Sequence, residues 1–139
     1  MEAGRLHLVA RAAREREEHR LPVAPRSVGV ARDLARSMGE RLGFDADRLG
    51  ALELVISEVV TNAVRHGGGR EVLFAMTPKP DLLCVQVTDG GAGFVPVPRA
   101  MGSEEGGGFG LFLVERLTRR WGMTREHGRT RVWFELDLP

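Results

Sequence analysis

Residues 52–67 read LELVISEVVTNAVRHG, and this stretch decides the fold. Its apolar residues recur at intervals of three, four, seven and eight positions, which predicts an amphipathic helix packed against a core. Glu58 and Asn62 interrupt the apolar run and, because they are four residues apart, lie one turn apart on one margin of the helix. A half-buried carboxylate and amide cost free energy unless they are satisfied. The sequence therefore marks this pair as a candidate ligand site.

Length and composition favour a single globular domain. The chain has 139 residues, a length sufficient for a core without disulfide or metal support. Apolar residues make up 42% and charged residues 28%, which is ordinary for a globular protein. A net charge of +1 gives no strong case for a nucleic-acid partner or an anionic membrane. The lone Cys84 excludes an intrachain disulfide and a cysteine metal cluster, and we expect it to be an inert core residue. No membrane span or apolar signal core stands out, which predicts a cytoplasmic protein.

The chain divides into a short extension and one domain. Residues 1–18 form a charged extension, which we interpret as a solvated or frayed helix, a dimer arm or the remnant of a linker. The domain covers residues 19–139 and begins with a short strand at 19–23. Prolines in and after this strand suit the edge of a sheet but not its centre.

Two helices follow the first strand. Ser27 is the expected cap of a helix over 28–42, with Gly43 as its stop. Asp45 is the expected cap of the central helix, which runs to His66 and ends in three glycines. One face of the first helix carries three apolar residues, Val30, Leu34 and Met38.

The second half of the chain combines hairpin strands with one more helix. A long loop rich in glycine and proline, at 89–108, precedes that helix, and a turn around 127–129 closes the chain. The helix is predicted over 109–120, and strands at 71–77, 82–88, 123–126 and 131–138. Hairpin-joined strands with helices gathered on one side predict an α+β fold, a two-layer sandwich. About three helices would cover one face of a mixed, mostly antiparallel sheet.

A second polar motif, Asp89-Gly90-Gly91-Ala92-Gly93-Phe94, directly follows a predicted strand. An aspartate at a strand end, with glycines that let a backbone approach closely, suits recognition of a ring amino group. The same Asp-Gly pair is a common turn signal in hairpins. From these residues alone, a ligand site and a simple turn both stay open.

Glycines also open the third predicted helix, where residues 106–111 read GGGFGL. Unpaired amides at a helix N-terminus make an anion site, because the N–H groups and the helix dipole both favour phosphate. A Walker loop is excluded, since it ends in Gly-Lys-[Ser/Thr] and residues 106–111 contain no lysine. The dinucleotide fingerprint, Gly-x-Gly-x-x-Gly, also fails. Its sixth position is Leu111 when counted from Gly106 and Leu113 when counted from Gly108, and neither is glycine. A phosphate site of another kind and a flexible loop both stay open.

Four signals thus stand in one order: Glu-x-x-x-Asn in a helix, Asp-x-Gly-x-Gly at a strand end, Gly-x-Gly entering a helix, and Thr-x-Val-x-Phe in the last strand. In this order the chain resembles the Bergerat-type ATPases, the superfamily of gyrase, heat-shock chaperone and sensor histidine kinase ATP domains. Within it, the chain looks most like the anti-sigma-factor serine kinases of bacteria. The resemblance covers about residues 20–139 and rests on PRSVGVARDLA, SEVVTNAVRHG, DGGAGF, GGFGLFLVERL and TRVWFEL.

The resemblance implies a role for each matching residue. Glu58 would be the general base that takes the proton of the target hydroxyl. Asn62 would ligate the Mg²⁺ that bridges the phosphates of ATP. Asp89 would accept a hydrogen bond from the adenine amino group, with Thr130 helping through a water molecule.

Further matches would surround the base and the phosphates. Gly91 and Gly93 would shape the adenine pocket. Arg65 stands where related kinases place a basic phosphate contact. For His66, one turn from Asn62, a phosphate contact and an ordinary surface position at the helix end both stay open. The start of the third helix would form the lid over the phosphates, with Gly108, Phe109, Gly110 and Leu111.

The resemblance finally implies an ATP- and Mg²⁺-dependent serine/threonine kinase that binds a sigma factor and phosphorylates a STAS-like anti-sigma-factor antagonist. A homodimer is expected from the family likeness alone. Kinases of this branch usually carry an arginine just before or within the Gly-x-Gly segment, and residues 106–110 hold none. Arg99 or Arg116 would have to substitute. The alternative is therefore a nucleotide-dependent binding module with little or no kinase activity.

Overall fold

Five strands and three helices build the domain, which we describe from a computed structural model. The structure describes residues 15–90 and 108–139. In chain order the elements are β1 (Glu17–Pro22), α1 (Arg26–Arg41), α2 (Ala46–His66), β2 (Glu71–Pro78), β3 (Leu82–Asp89), α3 (Gly108–Leu117), β4 (Arg120–Glu126) and β5 (Arg129–Asp137). This is the predicted order of elements.

The strands form one sheet in the order β1-β2-β3-β5-β4, which places β1 at an edge as predicted. All four pairings between the described strands are antiparallel. Alternate strand residues, among them Phe74, Val85 and Phe134, share one buried cluster with Ile56 and Val60 of α2. The helices therefore cover one face of the sheet, and the predicted α+β two-layer sandwich is confirmed.

Helix α2 has the predicted limits because its cap and stop signals agree with its apolar period. The Asp45 carboxylate accepts a hydrogen bond from the backbone N–H of Arg48 at 2.8 Å, so it caps the first turn. The helix ends at His66, and the Gly67 N–H donates to the Ala63 carbonyl. No helix of the two described ranges is long and apolar enough to cross a membrane. The buried stripe of α2 includes Leu52, Val55, Ile56, Val59 and Val60.

The predicted start of α1 was wrong. The helix begins at Arg26 with Pro25 at the cap position, and the Ser27 hydroxyl instead donates to the Pro22 carbonyl at 2.6 Å. Val30 is 44% exposed, so it does not lie on the packed face. Small residues let α1 approach α2 closely, because a side chain at Gly39 would lie 2.8 Å from Leu49. The buried face of α1 consists of Ser27, Ala31, Ala35, Met38 and Gly39.

The predicted end of the third helix was also wrong. Helix α3 stops at Leu117, and the backbone N–H of Arg119 donates to the Glu135 carbonyl at 2.8 Å. The chain has therefore joined the sheet before Arg120, where β4 begins, instead of at residue 123. The helix ends here because the Arg119 N–H bonds to the Glu135 carbonyl across the sheet and not to a carbonyl of the preceding helical turn.

The charged extension is not helical at its C-terminal end. Glu17 and the residues after it belong to β1, which starts two residues before the predicted strand at 19–23. Glu17 also pairs with Arg41 of α1 at 2.6 Å, which ties the edge strand to the helix layer. Residues 1–14 lie outside the described part of the chain.

Candidate functional site

Glu58 and Asn62 lie on α2 as the sequence predicts. Asn62 is 7% exposed and extends the buried stripe one turn beyond Val59. Glu58 precedes it by one turn and is half-buried. The helix therefore presents an amide and a carboxylate together at the margin of its core-facing side.

The Glu58 carboxyl group stands in an environment suited to a base. Its Oε1 atom is buried and has no hydrogen-bond partner among the described residues. Burial raises the pKa of Glu58, while a hydrogen bond from Asn62 and the charge of Arg65 offset part of that rise. A carboxylate with a raised pKa holds a proton more readily than an exposed one.

Asp89 ends β3 on the helix-facing side of the sheet. Side chains alternate along a strand, so Asp89 shares its face with Val85 and Val87, which are buried in the core. Asp89 is itself 3% exposed and lies opposite Thr130 in the β3–β5 register. Thr130 is 1% exposed, and its hydroxyl has no hydrogen-bond partner within residues 15–90 and 108–139. Two buried polar side chains thus meet at one end of the sheet.

The C-terminal end of α2 contacts the end of β3. A Cβ atom placed on Gly67 would lie 2.6 Å from Cβ and 2.7 Å from Cγ of Asp89. The Gly90 N–H also donates to the Gly68 carbonyl at 3.2 Å. These contacts join the helix that carries Asn62 to the strand that carries Asp89. The two residues are far apart in the sequence.

The remaining predicted site residues fall into three groups. Arg65 and His66 are exposed on the last turn of α2. Gly91, Gly93 and Arg99 lie outside the described residues. The predicted lid residues form the first turn of α3, and the structure gives their helical backbone: Gly108, Phe109, Gly110 and Leu111.

The sequence analysis missed the contact made by the glycine run after α2. It predicted residues 67–69 only as a helix stop. In the structure Gly67 packs on Asp89, and Gly69, with φ +86°, lies 3.2 Å from Gly90 by the same Cβ criterion. Three consecutive glycines were the available signal, since one glycine is enough to end a helix.

The described residues contain no cluster of three or more His, Cys, Asp or Glu side chains placed to hold a metal ion. A magnesium ion here would rely on the Asn62 amide oxygen and on oxygens supplied by a bound ligand and water. Magnesium is commonly held in this way, by few protein ligands together with phosphates. The buried oxygens of Glu58 and Thr130, which have no hydrogen-bond partner within the described residues, also fit a polar ligand.

Comparison with known proteins gives these features a family context. Residues 21–136 match the histidine kinase-like ATPase domain. The chain is 29% identical over 126 residues to the serine-protein kinase RsbW of Oceanobacillus iheyensis, which covers 80% of each chain. It is 30% identical over 112 residues to the serine-protein kinase RsbW of Listeria monocytogenes, covering 70% of this chain and 71% of the relative.

A solved structure supports the same fold. It is the crystal structure of the RsbU and RsbW domains of a Mycobacterium tuberculosis protein, which superposes with a TM-score of 0.69 at 19% sequence identity. The match covers 89% of this chain and 32% of that one. The likeness at this identity is one of fold.

Proposed function

The chain belongs to the histidine kinase-like ATPase domain family, and we propose that it is a cytoplasmic, ATP- and Mg²⁺-dependent serine/threonine protein kinase of the anti-sigma-factor type. One observation carries this proposal. Helix α2, which bears Glu58 and Asn62, ends against Asp89 of β3, so a carboxylate, an amide and a second carboxylate belong to two elements that are in direct contact. This arrangement fits an adenine nucleotide whose base lies at Asp89 and whose phosphates lie along α2.

The adenine end depends on Asp89 and Thr130. The Asp89 carboxylate accepts a hydrogen bond from the exocyclic amino group of adenine, which guanine lacks at that position. The buried Thr130 hydroxyl lies across the strand pair from Asp89 and binds the water that completes the recognition. Gly91 and Gly93 would shape the pocket around the base.

The phosphate end depends on α2 and the start of α3. The Asn62 amide oxygen would hold Mg²⁺, which neutralises phosphate charge when it is bound. Arg65, exposed on the last turn of α2, offers positive charge to phosphate oxygens, and the exposed His66 next to it offers a hydrogen-bond donor. The N-terminal amides of α3, at Gly108 to Leu111, would form the lid.

Glu58 acts as the general base. Its carboxylate takes the proton of a serine or threonine hydroxyl while that oxygen bonds to the terminal phosphorus and the bond to the ADP oxygen breaks. The raised pKa and the unpartnered Oε1 atom of Glu58 support this role, because a base needs an accessible lone pair and a pKa that approaches the working pH.

Similarity to serine-protein kinases named RsbW supports a protein substrate. We propose that the chain holds a sigma factor and phosphorylates a STAS-like antagonist, and that it works as a homodimer. No described residue identifies either partner, so the proposal rests on sequence likeness at this point.

A single-turnover assay tests the proposal. The full chain is mixed with Mg²⁺, γ-labelled ATP and purified antagonist candidates encoded beside its gene, and transfer to serine or threonine is followed by mass spectrometry. Kinase function predicts stoichiometric transfer that Glu58→Gln abolishes. Tight ATP binding without transfer to any candidate would favour the nucleotide-dependent binding module instead.

A further inference from the structure

Gly67 is a glycine because of its packing and not because of its backbone angles. Its φ of −72° and ψ of 171° are open to any residue. A Cβ atom at this position, however, would lie 2.6 Å from Cβ of Asp89, 2.7 Å from its Cγ, and closer still to the Ala63 carbonyl oxygen. Observed Cβ contacts essentially never fall below 3.0 Å. The Asp89 side chain and the Ala63 carbonyl together occupy the space that a side chain at position 67 would need.

Two nearby glycines show that this restriction is local. A Cβ atom on Gly50, also in α2, would meet no atom of the described residues within 4 Å. A Cβ atom on Gly90, the neighbour of Asp89, would meet its nearest atoms at 3.8 Å, an ordinary contact. Both positions accept alanine sterically, whereas position 67 does not.

The Asp89 side chain is held from more than one direction. Its backbone is fixed by the β3 pairing with Val72 on one side and with Thr130 on the other. The following residue, Gly90, is tied to Gly68 by a backbone hydrogen bond of 3.2 Å. A side chain at position 67 would therefore have to displace the Asp89 side chain or the last turn of α2, since Asp89 and the Ala63 carbonyl both overlap with it.

We propose that Gly67 is a specificity-determining positioning residue, which sets where the Asp89 carboxylate stands and thereby sets the preference for a purine that carries an amino group. This inference rests on the proposed recognition of adenine by Asp89. Gly67 acts through Asp89 and does not itself contact the nucleotide. Its replacement should change base discrimination more than affinity for the phosphates.

The experiment measures the dissociation constants of ATP and of purine riboside triphosphate, which lacks the amino group, by calorimetry with Mg²⁺. Wild-type protein should prefer ATP by about 10-fold or more, as one charge-assisted hydrogen bond allows. Gly67→Ala should reduce this ratio to less than about 3-fold, mainly by weakening ATP binding. Gly50→Ala is the matched control and should keep the wild-type ratio.

A double variant separates positioning from general damage to the end of α2. In an Asp89→Gly background there is no side chain to displace, so adding Gly67→Ala should leave both dissociation constants unchanged. A further loss of affinity in the double variant would overturn the inference. If Gly67→Ala alone does not fold, Asp89→Gly should restore folding, and failure to do so would assign the overlap to Ala63 and overturn it equally.

The outcomes for the two proposals are distinguishable. If wild-type protein does not discriminate between the two triphosphates, recognition of the amino group by Asp89 is wrong. A different set of results would show that only the role of Gly67 is wrong. In that case wild-type protein discriminates between the two triphosphates, Asp89→Asn loses the discrimination, and Gly67→Ala keeps it.

Discussion

Asp89 and Thr130 lie directly opposite each other in the β3–β5 pairing, and both side chains are buried on the helix-facing side of the sheet. Such a pair is costly to bury unless hydrogen bonds satisfy it. The Thr130 hydroxyl has no such bond with any residue in the described ranges. A ligand or its bound water that reached this end of the sheet would remove that cost, which links nucleotide binding to the stability of the domain.

Thr130→Val should weaken ATP binding without harming the fold. Valine has nearly the same shape and removes a buried hydroxyl that has no hydrogen-bond partner in the described part of the chain, so the unfolding temperature of the free protein should stay equal or rise. Loss of one water-mediated hydrogen bond should raise the ATP dissociation constant about 3- to 10-fold. Calorimetry and thermal unfolding test both parts. Unchanged ATP affinity would remove Thr130 from the site.

Asn62→Ala should strongly weaken Mg²⁺-dependent ATP binding. The amide oxygen is the proposed metal ligand on α2, and loss of a ligand typically weakens such a site by about 10- to 100-fold or more. Titration with ATP at varied Mg²⁺ measures the loss. Cys84→Ala is the matched control, since Cys84 is also buried but lies on the opposite face of the sheet. Equal losses in the two variants would show damage to the fold, and not to a site.

Glu58→Gln should separate binding from chemistry. Removal of a general base typically slows the chemical step by about 10²- to 10⁴-fold, while glutamine keeps the shape and the hydrogen-bonding capacity of the side chain. ATP affinity should stay within about 3-fold of wild type. Single-turnover transfer to the antagonist, together with calorimetry, provides the comparison. Transfer at the wild-type rate would show that another group takes the proton.

Glu58 should also make the stability of the domain depend on pH. The pKa of Glu58 is raised in the folded protein, chiefly by burial, so its contribution to stability is fully present below the unfolded pKa of about 4.3. That contribution is lost as the pH rises through the folded pKa. Glu58→Gln should therefore be more stable than wild type at pH 8, and the difference should disappear near pH 4. Chemical unfolding at the two pH values measures it, and a pH-independent difference would contradict the assigned shift.

The sequence predicted α2 well because independent signals agree there. The Asp45 cap, the apolar period and the terminal glycines mark the same helix, and the structure returns these limits. It predicted α1 poorly because the apolar pattern favoured Val30, whereas Ala31 and Gly39 make the close contact with α2. Small residues carry little hydrophobic signal, so a pattern of large apolar residues cannot reveal a close helix approach.

Part of the site also lay beyond sequence reasoning. Glu58 and Asn62 are one helical turn apart, so their proximity follows from spacing alone. The contact between Gly67 and Asp89 joins residues separated by all of β2 and β3, and it depends on how α2 packs on the sheet. Only the assembled layers bring the two together.

A final prediction concerns the sheet face that the helices leave uncovered, where Glu135 is 6% exposed and pairs with Arg120 at 2.7 Å. Arg120 lowers the pKa of Glu135, so this pair contributes stability above the unfolded pKa of about 4.3, and the contribution is lost as the pH falls through the folded value. Arg120→Met should lower the unfolding temperature by about 2–5 °C at pH 7, because it leaves a buried carboxylate without its partner, and by much less near pH 3. Arg20→Met is the control, since Arg20 and Glu71 form an exposed pair at 3.8 Å whose loss should not be measurable. Equal effects of the two variants at pH 7 would show that burial of Glu135 does not matter.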